Sequence, residues 1–131
     1  MLEVIGIEGN GFVPLKDYKS WRIAQLSYKE NNNSLEGVQF FGRHLETDEV
    51  FLLLKGEAKI FTAGFEDEFG EIQAEEMINY KLYTVKEKQW HAVILKPGAQ
   101  ILIVENSSTD DSNSQSYKLT PIDKMNMNSF K

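Results

Sequence analysis

The chain has 131 residues, of which 41% are hydrophobic and 26% charged, with a formal charge of −6 and no cysteine. This length supports one ordinary hydrophobic core, and the lack of cysteine excludes disulfides, thiolate metal sites, iron–sulfur clusters and cysteine nucleophiles. The only arginines are Arg22 and Arg43 and no lysines cluster, so neither nucleic acid nor an anionic membrane is expected as a partner.

We read one domain over residues 1–131, with its core at about 20–105. The start, "MLEVIGIEGNGF", has no basic segment leading into a long apolar core, so no secretory signal is expected and a cytoplasmic location is the default. The longest apolar run, Val50 to Leu54, is far too short for a membrane-spanning helix.

In chain order, "LEVIGI" predicts a first strand, after which Gly9, Gly11 and Pro14 break the chain before a strand at "WRIAQLSY", residues 21–28. "KENNNS" predicts a turn. In "VQFFGRHL", alternation puts Val38, Phe40, Gly42 and His44 on one face and turns Arg43 away from it. "EVFLLL" is apolar on both faces, as in a strand packed between layers, and Lys55-Gly56 turns it back into "EAKIFTA". Residues 64–80 predict a long acidic loop with a short hairpin, in which "AEEMIN" could form one helical turn. "KLYTV" and "WHAVIL" are strands, and Lys96-Pro97-Gly98 turns the latter into "QILIVE". The polar stretch 106–116 predicts a mobile loop, and 117–131 a terminal strand, "YKLTPI", with a tail. So many short strands predict an all-β, antiparallel sandwich or barrel.

The chain's two histidines, His44 and His91, stand at the starts of the two hairpins. If those hairpins face each other, His44, Glu49 and His91 converge on the interior. Two imidazoles and a carboxylate suit one divalent iron, manganese, nickel or zinc ion with positions left open for substrate. The plainer alternative for His44 is a hydrogen-bonded histidine at a barrel rim, and for Glu49 a solvated carboxylate in the acidic run "ETDE". A buried Glu49 without a cation would tend to hold its proton. Phe40, Phe51 and Leu53 are candidates to line the cavity, although core packing explains them equally. Gly42 either marks a bulge or leaves room for a ligand above His44. With His91 pointing inward, Trp90 should lie outside, under the other sheet or in a subunit interface.

These residues resemble the cupins, or RmlC-like jelly rolls, over about residues 36–105. The first cupin motif ends in a histidine, then after four intervening residues a glutamate, then after six more a glycine, matched here by His44, Glu49 and Gly56. In the second motif only His91 matches, with Lys86 and Lys88 where proline and glycine are usual and Leu95 in place of asparagine. Gly42 occupies the place of the first histidine of the family's H-x-H pair, so the resemblance implies at most His44, Glu49 and His91 as ligands, with Glu46 or Tyr83 as a source of a further oxygen. It implies a double-stranded β-helix, pairing into homodimers through the sheets, and a pocket formed with Phe40, Gly42, Phe51 and Tyr83. Three functions follow as alternatives: a metal-dependent enzyme acting on a small polar metabolite, a metal-free ligand-binding or sensing barrel, and a metal-free epimerase or isomerase. Cupins span so many reactions that none is implied in particular.

Overall fold

The computed structural model describes residues 1–130. In chain order these form β1 (Phe12–Tyr18), β2 (Trp21–Ser27), α1 (Glu30–Asn33), β3 (Phe40–His44), β4 (Glu49–Lys55), β5 (Ala58–Thr62), β6 (Gln73–Glu76), β7 (Leu82–Val85), β8 (His91–Leu95), β9 (Gln100–Asn106), β10 (Ser114–Lys118) and α2 (Pro121–Asn128). Two five-stranded sheets result, the first in the order β1-β2-β9-β4-β7 and the second β10-β3-β8-β5-β6. Every pairing is antiparallel. This is the all-β jelly roll expected.

Period-two alternation sorts the apolar residues into two clusters. Between the sheets lie Phe51 and Leu53 of β4, Ile60 of β5, Leu95 of β8, and Ile101 and Ile103 of β9. The residues one step along, Phe61 of β5 and Ile94 of β8, belong to a second cluster with Phe41, Trp90 and Met127. That cluster covers the outer face of the second sheet, where the acidic loop after β5 and helix α2 close over it. Phe69 of the loop stacks on Tyr117 of β10 at 3.8 Å between centroids and meets Phe41 edge-on at 5.0 Å. Trp90 Nε1 donates to the Glu66 carbonyl at 2.9 Å, which fixes Trp90 under the loop.

Several elements differ from the sequence reading. Residues 1–9 form no strand, despite the β-prone "LEVIGI", whereas β1 runs straight through Pro14. Pro14 is tolerated because β1 is an edge strand whose register shifts between Pro14 and Lys16. "KENNNS" contains the single helical turn α1, and the turn considered at "AEEMIN" is replaced by β6. Residues 106–116 hold a 3-10 turn, Asp111–Asn113, closed by reciprocal bonds between Asp110 and Asn113, and the start of β10. The tail is helix α2, with Thr120 and Asp123 forming a capping box around Pro121 at its first turn. Lys124 of α2 donates to the carbonyls of Leu35, Glu36 and Val38 at 3.1, 3.0 and 2.7 Å, tying the helix to the second sheet.

Gly56, the last residue of the matched motif, has a physical reason to be glycine. Its φ is +81°, and a Cβ there would lie 2.5 Å from Ala99 Cα, so the β4–β5 turn and the β8–β9 turn can touch only because no side chain intervenes.

Candidate metal centre

His44 ends β3, His91 opens β8 and Glu49 opens β4. The two histidines therefore project from the second sheet and the glutamate from the first, meeting across one end of the sandwich. Gly42 pairs with His91 across β3 and β8, so His44, two residues on, projects from the same face beside it.

Both His44 Nε2 and His91 Nε2 lie 3.0 Å from the same atom, Glu49 Oε1. The remaining ring nitrogens are also engaged: His44 Nδ1 with Ser114 Oγ at 2.9 Å and His91 Nδ1 with the Gln89 carbonyl at 3.0 Å. A carbonyl only accepts, so His91 Nδ1 carries a proton and its Nε2 is the nitrogen free to ligate. Either a second proton on Nε2 or a cation between the two then bridges His91 to Glu49 Oε1. The ligand atoms of His44, Glu49 and His91 lie within 4.8 Å of one another, and the three could hold a metal ion. The residues present thus fit a divalent ion.

The electrostatics agree with a carboxylate held in its charged form. Burial raises the Glu49 pKa, but the hydrogen bonds from His44 and His91, with their positive charge, outweigh it and hold the carboxyl at about 2. For His44, burial lowers the pKa and the hydrogen bond and charge of Glu49 overcome it, leaving it raised. A further carboxylate, Glu105 of β9, is pushed up to about 7, first by burial and then by the neighbouring Glu49 charge. Arg22 of β2 reaches Glu105 at 3.7 Å.

The site opens into a pocket of about 410 Å³, whose walls include Phe40 and Phe51 and whose mouth carries Thr109, Asp110, Asp111 and Ser114. A larger hollow of 540 Å³ lies outside the second sheet beside α2 and contains neither histidine. Tyr83 does not reach the pocket. It packs on the inter-sheet core, with its hydroxyl accepting from Ile78 N at 2.8 Å. Glu46 is exposed and does not contribute either. Gly42 adds no side chain, and a Cβ there would meet only the Gln115 carbonyl, at 3.6 Å.

Arg43 does turn away from the cavity, as alternation requires, but it is buried rather than solvated. Only 4% exposed, it stacks on Trp90 at 4.5 Å and donates to Gln115, to the carbonyls of Phe65 and Glu66, and to Asp67. Sequence reasoning missed Glu105, Arg22 and Ser114. The first two stand at polar ends of otherwise apolar strands, where only the strand register reveals that they face inward.

No family model matches the sequence, and no curated protein matches it. Solved structures do match in shape. A cupin-2 domain protein from Shewanella frigidimarina superposes with a TM-score of 0.52 at 18% identity, over 76% of this chain and 84% of that one. A cupin superfamily protein from Desulfitobacterium hafniense gives 0.51 at 19%, over 75% and 81%. Streptomyces PAC13, solved with uridine, gives 0.57 at 8%, over 86% and 82%. With its two antiparallel five-stranded sheets, this chain has the cupin fold.

Proposed function

We propose that the protein binds a small polar metabolite in the pocket above a divalent ion held by His44, Glu49 and His91. The observation that carries this reading is the convergence of both Nε2 atoms on one buried carboxylate oxygen at the floor of an open pocket. Iron, manganese, nickel and zinc all accept two imidazoles and a carboxylate, and a bound ion would polarise an oxygen of the ligand. The chain's own groups supply the rest. Phe40 and Phe51 give apolar walls, and the Thr109 hydroxyl is buried at the mouth without a hydrogen-bond partner, ready to meet a polar ligand group. Uridine in Streptomyces PAC13 shows a small polar ligand on the same fold at low identity.

The second reading is a metal-free ligand-binding or sensing barrel. Gly42 in place of one family ligand favours it, as does the ability of the two histidines to satisfy Glu49 by hydrogen bonding alone. Metal analysis by inductively coupled plasma mass spectrometry separates the two. About one ion per chain is expected after loading, with loss of stoichiometric metal in His91→Ala. No metal under any loading would leave the ligand-binding barrel.

No helix among the described residues is long and apolar enough to cross a membrane, and a cytoplasmic setting rests on sequence grounds. A homodimer is part of the proposal, because the outer face of the first sheet is left apolar. On that face Val50 pairs with Val104, which pairs with Ile23, and Leu82 pairs with Leu52, which pairs with Leu102. Leu82 is 71% and Val104 38% exposed. A face with self-matching apolar rows suits a two-fold partner of its own kind. Light scattering should give twice the chain mass, and Val104→Lys should reduce it to the monomer's. A monomeric wild type would remove the dimer.

A further inference from the structure

Four charged side chains stand in one row across the first sheet. Asp17 of β1 is opposite Arg22 of β2, and Arg22 is opposite Glu105 of β9. Val50 pairs with Val104 and Phe51 with Ile103, which sets Glu49 of β4 opposite Glu105. The signs alternate from Asp17 to Glu105, and then Glu49 repeats the negative one.

Like charges directly opposite on neighbouring strands are destabilising, and burial intensifies the effect. The Glu105 side chain is 4% exposed and that of Glu49 8%. Arg22 does not neutralise both. Its Nε donates to Asp17 at 2.8 Å and its Nη2 to the Ser107 carbonyl at 3.1 Å, leaving Glu105 at 3.7 Å, beyond hydrogen-bond length. The row therefore lacks a positive charge on its Glu49 side, which is where both histidine Nε2 atoms converge.

Resting on the metal reading above, we infer that Glu105 is a positioning residue for the cation. It is a second carboxylate that flanks the tight group of His44, Glu49 and His91 from one strand away, and its buried charge is offset when a divalent ion occupies that group. Arg22 holds Glu105 from the far side without cancelling it. The site is thereby built to be strained when empty and relieved when filled, so one substitution should move two measurable properties in opposite directions. A purely structural carboxylate would not do this, because its removal weakens the fold whatever the metal content.

The test titrates Mn²⁺, and in parallel Zn²⁺, into chelated wild type, Glu105→Gln, Glu105→Asp and His91→Ala by calorimetry, and melts each protein metal-free. Glu105→Gln should weaken ion affinity by about 10–100-fold and yet melt higher than wild type without metal. Glu105→Asp, which keeps the charge, should retain most of the affinity. Equal affinity in wild type and Glu105→Gln overturns the inference and leaves the metal reading standing, and so does a lower metal-free melting temperature for Glu105→Gln. Absence of binding by wild type, or unchanged binding in His91→Ala, overturns the metal reading and this inference with it.

Discussion

Arg43→Ala is expected to cost about 3 kcal/mol or more of folding stability, because it removes the donor that ties Gln115 and the Phe65 and Glu66 carbonyls together and opens a void beside the buried Trp90. Arg43 is a buried cation whose partners are mostly neutral: Gln115 at 2.8 Å, the Glu66 carbonyl at 3.0 Å and the Phe65 carbonyl at 3.3 Å. Its one carboxylate partner, Asp67, is fully exposed and contributes little. The guanidinium therefore acts chiefly as a planar multiple donor that pins the loop after β5 over the outer cluster, with its flat face against Trp90. Arg43→Lys should not rescue, because an ammonium can neither stack on the indole nor reach several carbonyls in one plane. Urea denaturation of the two variants and of Asp67→Asn measures this. A loss in Asp67→Asn as large as in Arg43→Ala would mean that the ion pair, not the carbonyl network, holds the loop.

Arg43 also shows where sequence reasoning stops. Alternation gave its direction, away from His44, but not the loop that buries it, because nothing local to "FFGRH" encodes what residues 64–72 will cover. The hairpins β4–β5 and β8–β9 were legible because their apolar runs end in Lys55-Gly56 and Pro97-Gly98, whose turns reverse the chain over a few residues. The convergence of His44, Glu49 and His91 was legible for the same reason, since they stand at fixed offsets from those hairpins. Strand β1 was hidden by Pro14, a breaker in a central strand but harmless at an edge. "LEVIGI" was misleading in the opposite sense: its propensity is that of a strand, yet no neighbour pairs with it, and propensity without a ladder does not make one. Helix α2 carried a readable signature in Thr120-Pro121 with Asp123. Glu105 could not be read from its neighbours at all, because its inward direction depends on the pairing of β9 with β4 and β2, sequence separations that no local pattern spans.

Metal-free protein is expected to lose on the order of 2 kcal/mol of stability between mildly acidic and mildly alkaline pH, since a tenfold change in proton affinity on folding is worth about 1.4 kcal/mol and solvent screening through the open pocket reduces the total. The largest contribution is from Glu105, whose folded pKa of about 7 stands above its ordinary 4.5 through burial and the Glu49 charge. A folded pKa raised in this way means stability fully present below 4.5 and lost as pH rises through about 7. His44, also raised, acts in the same sense, its contribution fading as pH climbs past its folded value. Glu49 acts in the opposite sense: held at about 2, it contributes stability above 4.5 that disappears only as pH falls toward 2. The optimum for chelated protein therefore falls between the Glu49 and Glu105 transitions, in mild acid. A divalent ion should reverse the alkaline limb, because it binds the deprotonated ligands and competes with protons for them. Thermal melts across pH, with and without chelator, should diverge increasingly above neutrality. Coincident curves would remove the ion, and a flat alkaline limb in chelated protein would remove the repulsion between Glu49 and Glu105.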